Sequence, residues 1–135
     1  MIQEFLNAWE LRKAEVEAEF RKAHPGTYLD VVKPVIRILN ESHKWYWPDP
    51  DRIHEINEGD YQGTLVYVIA SHGYQPSTYW YVRVGYGSCS GCDTLEAIKD
   101  YLTHSKPPND EQVAQYMNLA LRVVQELKQM DGESV

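Results

Sequence analysis

Cysteine is scarce in this sequence: Cys89 and Cys92 are the only two in 135 residues, and only Ser90 and Gly91 separate them. A disulfide that closes so short a loop constrains the unfolded chain weakly, so a cystine scaffold is excluded as the source of stability. Long hydrophobic runs are also missing. The longest, Leu65 to Ala70, falls far short of the roughly 20 residues that span a bilayer. The opening Met1-Ile2-Gln3-Glu4-Phe5 has neither the basic nor the apolar region of a secretory signal. Together these absences predict a soluble cytoplasmic protein. Positive charge is in the minority, with 13 Lys and Arg against 20 Asp and Glu and a net charge of −7. That balance disfavours duplex nucleic acid and anionic membranes as generic partners. No internal repeat and no low-complexity tract is present.

What remains is ordinary globular material, 43% hydrophobic and 24% charged. One domain of this length buries roughly two-thirds of its unfolded surface, enough for a core without metal or disulfide. Phe5, Trp9, Val16 and Phe20 recur at helical spacing, with Ile2 and Leu6 beside them and charged residues elsewhere. His24-Pro25-Gly26 stops that helix. Thr27 offers an N-cap assisted by Asp30, and Leu29, Val32, Val35, Ile36 and Leu39 form a second stripe. Pro34 lies inside it, which predicts either a later start near Lys33 or a kink.

Three strands are expected next: a short one over Arg52 to Ile56, a central one over Gln62 to Ser71, and a third over Thr78 to Tyr86. Short connections, Asn57-Glu58-Gly59-Asp60 among them, make the three an antiparallel meander. A helix capped by Asp93 and Glu96 buries Leu95, Ile98 and Leu102. After Lys106-Pro107-Pro108, Asn109 or Asp110 caps a last helix that buries Val113, Tyr116, Met117, Ala120, Val124 and Leu127 and ends at Asp131-Gly132. The expected fold is therefore a single α+β domain over 1–135, with two N-terminal helices, a three-stranded meander and two C-terminal helices packed mainly on one sheet face.

The sharpest motif, Tyr86-Gly87-Ser88-Cys89-Ser90-Gly91-Cys92-Asp93, falls between the third strand and a helix start. The helix dipole there favours thiolate, while Asp93 opposes it by occupying the same field. Four readings follow. Cys89 and Cys92 can act as redox thiols, although a meander is not the usual βαβ context. They can bind zinc, which needs two more ligands from His54, His72, His104 or carboxylates; no second Cys-x-x-Cys and no closely spaced His pair supplies them. The glycines can cradle an anion, although no Lys follows the loop. Or Ser, Gly and reduced Cys pack as a small structural loop. Thiol-protease chemistry would need an oriented His partner, and the histidines are scattered.

Arg52, His54 and Ile56 share one strand face near Glu55, Glu58 and Asp60, acids that suit a solvated hairpin tip. Asp49-Pro50-Asp51 reads as a turn. Tyr79, Tyr81 and Arg83 line one face of the third strand, and Trp45, Tyr46 and Trp47 lie in a loop that can approach it. Exposed aromatics beside Arg suit stacking or a protein-interaction patch; a fold covering both sheet faces would bury them instead.

Three strings, Pro48-Asp-Pro-Asp-Arg-Ile-His-Glu-Ile56, Gly59-Asp-Tyr-Gln-Gly-Thr64 and Tyr86-Gly-Ser-Cys-Ser-Gly-Cys-Asp-Thr-Leu95, resemble small proteins of tailed bacteriophages and bacterial genomes, a group without an established activity. The resemblance covers roughly Pro48 to Tyr101. It implies a phage or prophage setting and a reducing cytosol, and it adds Asp60, Tyr61, Gln62 and Gly63 to Cys89, Ser90, Cys92 and Asp93 as candidate binding residues. The expectation is an accessory protein that binds a host or phage protein or a small ligand where the two strings converge at one sheet edge, with His54 near. The alternatives are a zinc or thiol-redox protein using Cys89 and Cys92, and an acidic mimic of nucleic acid that binds a basic host protein.

Overall fold

The computed structural model describes residues 2–40, 47–57, 64–71, 79–85, 95, 98 and 106–130. They comprise α1 (Ile2–Lys22), α2 (Leu29–Asn40), β1 (Pro48–Asn57), β2 (Thr64–Ser71), β3 (Tyr79–Gly85), α3 (Asp110–Glu126) and β4 (Lys128–Met130). The α+β class holds.

The first two helices form where their apolar spacing puts them. Phe5, Trp9, Val16 and Phe20 are all buried on α1. On α2 the Thr27 N–H donates to Asp30 Oδ2 at 3.2 Å and the Asp30 N–H donates back to Thr27 Oγ1 at 3.4 Å, a reciprocal cap. Seven α2 residues, Pro34 among them, are buried, because this helix is wedged between β1 and the other two helices. That burial explains how Pro34 is accommodated: the helix runs through it from Leu29 rather than starting at Lys33, and packing on several sides offsets the missing backbone bond.

The sheet is where expectation and structure part. It has four strands in the order β1-β2-β3-β4, all antiparallel neighbours, not three. The expected last helix does not reach Asp131; it ends at Glu126, where Leu127 takes extended backbone (φ −66°, ψ 124°). Lys128 to Met130 then pair with Tyr81 to Tyr79. Leu-Lys-Gln-Met has no local signal against helix, but the unpaired edge of β3 offers backbone partners that a frayed last turn lacks. At the other end of α3 the capping box forms between Asn109 and Gln112, as the sequence suggests. Leu95 and Ile98, the described part of the expected third helix, have helical backbone and are buried. The Leu95 N–H donates to Tyr28 Oη, and Gln112 Nε2 donates to the Ile98 carbonyl, which ties both residues to the helical layer.

β1 begins earlier than expected, at Pro48, because the Asp49–Arg52 stretch is a bulge. Pro48 faces Ser71 and Ile53 faces Ile69, so five steps along β1 match two along β2. Inside the bulge Asp49, 6% exposed, accepts the Asp51 N–H at 2.9 Å and lies 3.5 Å from Arg52 Nε. The Asp49-Pro50-Asp51 turn is thereby structural.

Among the described residues the core cluster lies on one side of the sheet. Tyr67, Ile69, Trp80 and Val82 point into it, with Ile53, Leu65 and Val84 at its margin. Its largest feature is an aromatic triad. Phe5, Trp47 and Trp80 sit with ring centroids 4.9, 5.2 and 5.7 Å apart at tilted or edge-on angles, the geometry ring quadrupoles prefer. Trp47 is therefore a core residue, 2% exposed, and not part of any surface patch. No buried side-chain polar atom among the described residues lacks a partner.

Candidate binding surface

Strand alternation puts every second residue on the face opposite the core. The register assembles that outer face in three rows: Ala70 beside Tyr79; His54, Val68, Tyr81 and Lys128; and Ile56, Val66 and Arg83. The helices contribute to the core on the other side, and of these outer residues none belongs to the core cluster. Ile56 is 39% and Tyr79 43% exposed, two of the three large hydrophobic residues so open to solvent among the described residues. His54, Arg83 and Lys128 are exposed; Tyr81, Val68 and Ala70 are half-buried, and Val66 is buried near the centre. Tyr79, Tyr81 and Arg83 share a strand face, as their alternation predicts, and the face is open.

Two features distinguish this surface. The Arg83 Cζ lies 6.0 Å from the Tyr81 ring centroid, within cation–π range, so a cation is held beside the central aromatic. The three rows also contain no carboxylate, in a chain with 20 of them. Among the described residues, α1 carries Glu4, Glu10, Glu15, Glu17 and Glu19, and Glu55 alternates to the core side. There Glu55 accepts the Tyr67 hydroxyl at 2.7 Å. Burial of the phenol, followed by this carboxylate, pushes the Tyr67 pKa well above its ordinary value. On α1 the acids are interleaved with cations, as in Arg12–Glu15, Lys13–Glu10 and Arg21–Glu17, with Arg37 of α2 forked onto Glu19 at 3.1 and 2.7 Å.

The helical side carries several concavities, one of about 380 Å³ between α1 and α3. Another, of about 450 Å³, runs between α1, α2 and the β1 bulge, and several of its polar groups are already engaged. Arg37 holds Glu19, Asp30 accepts the Gly26 and Thr27 N–H groups, and both His24 ring nitrogens are occupied, by Tyr116 Oη at 2.7 Å and the Lys106 carbonyl at 2.8 Å. The carbonyl can only accept, so His24 Nε2 carries a proton and the ring ties the end of α1 to α3. A further one, about 240 Å³ between α2, β3 and α3, is floored by valines, with Arg83, Arg122 and Glu126 also lining it.

Of the residues singled out in the sequence, Asp60, Tyr61, Gln62, Gly63, Cys89, Ser90, Cys92 and Asp93 lie outside the described residues, as do Trp45 and Tyr46. Their flanks are described. Asn57 pairs with Leu65 and Thr64 with Gly85, so the chain enters the 58–63 and 86–94 segments from one end of the sheet. His54 is on β1, in the outer face row with Tyr81. Among the described residues no group of three or more His, Cys, Asp or Glu could hold a metal ion, and no helix is long and apolar enough to cross a membrane. Lys128 was not expected on the sheet because its stretch reads as helical; Val66 and Val68 follow from the same alternation that gave Tyr79 and Tyr81. No protein-family model, curated protein or solved structure matches the chain.

Proposed function

We propose that this protein is a binding module that engages a phage or host macromolecule through the outer face of its sheet. One observation carries the reading: on the face opposite the described helices Ile56 and Tyr79 are exposed and Val68 and Tyr81 are half-buried beside them. Rigid aromatic rings lose little entropy on binding and provide large contact area, which is why they anchor interfaces. A sheet supplies them at fixed spacing.

The test is site-specific photo-crosslinking in bacterial cells, with p-benzoylphenylalanine placed at Tyr79, at Tyr81, or at Leu11 on the exposed side of α1. Discrete adducts from positions 79 and 81, absent at position 11, are expected. The same diffuse background from all three positions would overturn the proposal.

A further inference from the structure

The open face carries more specific information than its apolarity, and the following assignment rests on the binding reading above. We infer that its ligand is a single-stranded nucleic acid, whose bases stack on Tyr79 and Tyr81 and whose phosphates are met by Arg83 and Lys128. Four observations support this.

The two tyrosines are next-but-one neighbours on β3, so their rings rise from one face roughly 7 Å apart along the strand. That repeat matches the stretched spacing of unstacked bases on an aromatic platform, and stacking of this kind accepts any base. Cations flank the rings: Lys128 lies directly across from Tyr81 on β4, and Arg83 projects beside the Tyr81 ring. His54 closes the same row from β1. The rows contain no carboxylate to repel a phosphate, although acids outnumber bases in the chain. Finally, the acids of α1 lie in the helical layer behind the sheet. The described core lies between those charges and the outer face of the sheet.

The net charge of −7 therefore disfavours duplex DNA as a generic partner without disfavouring a single strand on this face. A duplex hides its base faces, so it cannot use Tyr79 and Tyr81, and its dense phosphate array must approach the acidic remainder of the molecule. A protein partner is the competing occupant. It would use the apolar residues equally well, but it would give no reason for Arg83 and Lys128 both to adjoin the central ring with no carboxylate in its row.

The experiment is fluorescence anisotropy of 5′-labelled dT15 and U15, titrated with the whole chain at low and physiological salt. A saturable rise is expected, stronger than for a 15-base-pair duplex, with log affinity falling with log salt by about 0.7 per phosphate contact. Tyr79→Ala and Tyr81→Ala each weaken binding about tenfold or more. Tyr81→Phe, which keeps the ring, retains the affinity, and Leu11→Ala leaves it unchanged. Thermal unfolding of each variant shows that the protein remains folded. The assignment is overturned if the oligonucleotides give no saturable rise, or if the alanine variants bind like the parent. If in that case position 79 still yields a discrete, nuclease-resistant protein adduct, the partner is a protein and the binding reading survives. If position 79 yields nothing beyond position 11, both fall.

Discussion

The two faces of the sheet share strands, register and backbone, yet they differ in burial and in charge. On the inner face Tyr67, Ile69, Trp80 and Val82 are all within 1% of complete burial. On the outer face the residues between them, Tyr79, Tyr81 and Arg83, alternate into solvent. The same strand thus carries Trp80 as the hub of the Phe5–Trp47–Trp80 triad and Tyr81 as a ring with a cation beside it. Aromatic content alone does not tell structure from recognition. Parity along a strand does, once it is known which side the helices cover.

The comparison is broken most severely by Trp80→Ala. Removing this buried indole costs about 3–5 kcal/mol, a large share of the stability of a domain this size, and chemical denaturation should show a much lower midpoint or no folded baseline. An intermediate effect is expected from Tyr67→Phe, because it deletes one hydroxyl whose hydrogen goes to Glu55. The loss at neutral pH is about 1 kcal/mol. Its pH dependence is more informative. A tyrosine pKa raised by folding means that the unfolded chain releases the proton first. The stability this group contributes is present below the unfolded value of about 10 and is lost as pH rises above it toward the folded value. Stability curves of parent and Tyr67→Phe should therefore converge above pH ~10, and curves that stay parallel would show that the phenol is not enclosed.

On the outer face Tyr81→Ala should cost about 1 kcal/mol or less, the scale of one exposed cation–π contact and a half-buried ring. Lys128→Ala should change stability by no more than about 0.5 kcal/mol. The same substitution should lower the salt dependence of oligonucleotide binding by about one phosphate contact. If Tyr81→Ala were as damaging as Trp80→Ala, the two faces would not be functionally separate.

The sequence made the inner face legible because burial leaves a periodic record. The stripes Phe5–Trp9–Val16–Phe20 and Val32–Val35–Ile36–Leu39 and the alternation Trp80–Val82 each contain enough apolar residues to fix what turns inward. The outer face was half legible. The alternation gave Tyr79, Tyr81 and Arg83, but whether a second layer covers them depends on where the helices dock, a tertiary outcome that no local pattern encodes. Trp47 shows the same limit: a tryptophan in a Pro-rich, turn-forming stretch reads as surface, yet it fills the space between Phe5 and Trp80. Lys128 was hidden for a related reason. Its segment has good helical propensity, and only pairing with the β3 edge draws it into the sheet.

The proposal assigns binding to the outer face of the sheet and a scaffold role to the helical side. Amide chemical-shift mapping with isotopically labelled protein and unlabelled dT15 tests it most directly. The prediction is that perturbations concentrate at His54, Ile56, Val68, Tyr79, Tyr81, Arg83 and Lys128, while Val16 on α1 and Val124 on α3 stay unmoved. Perturbations that cluster on α1 or α3, with the Tyr79–Arg83 amides unchanged, would contradict it.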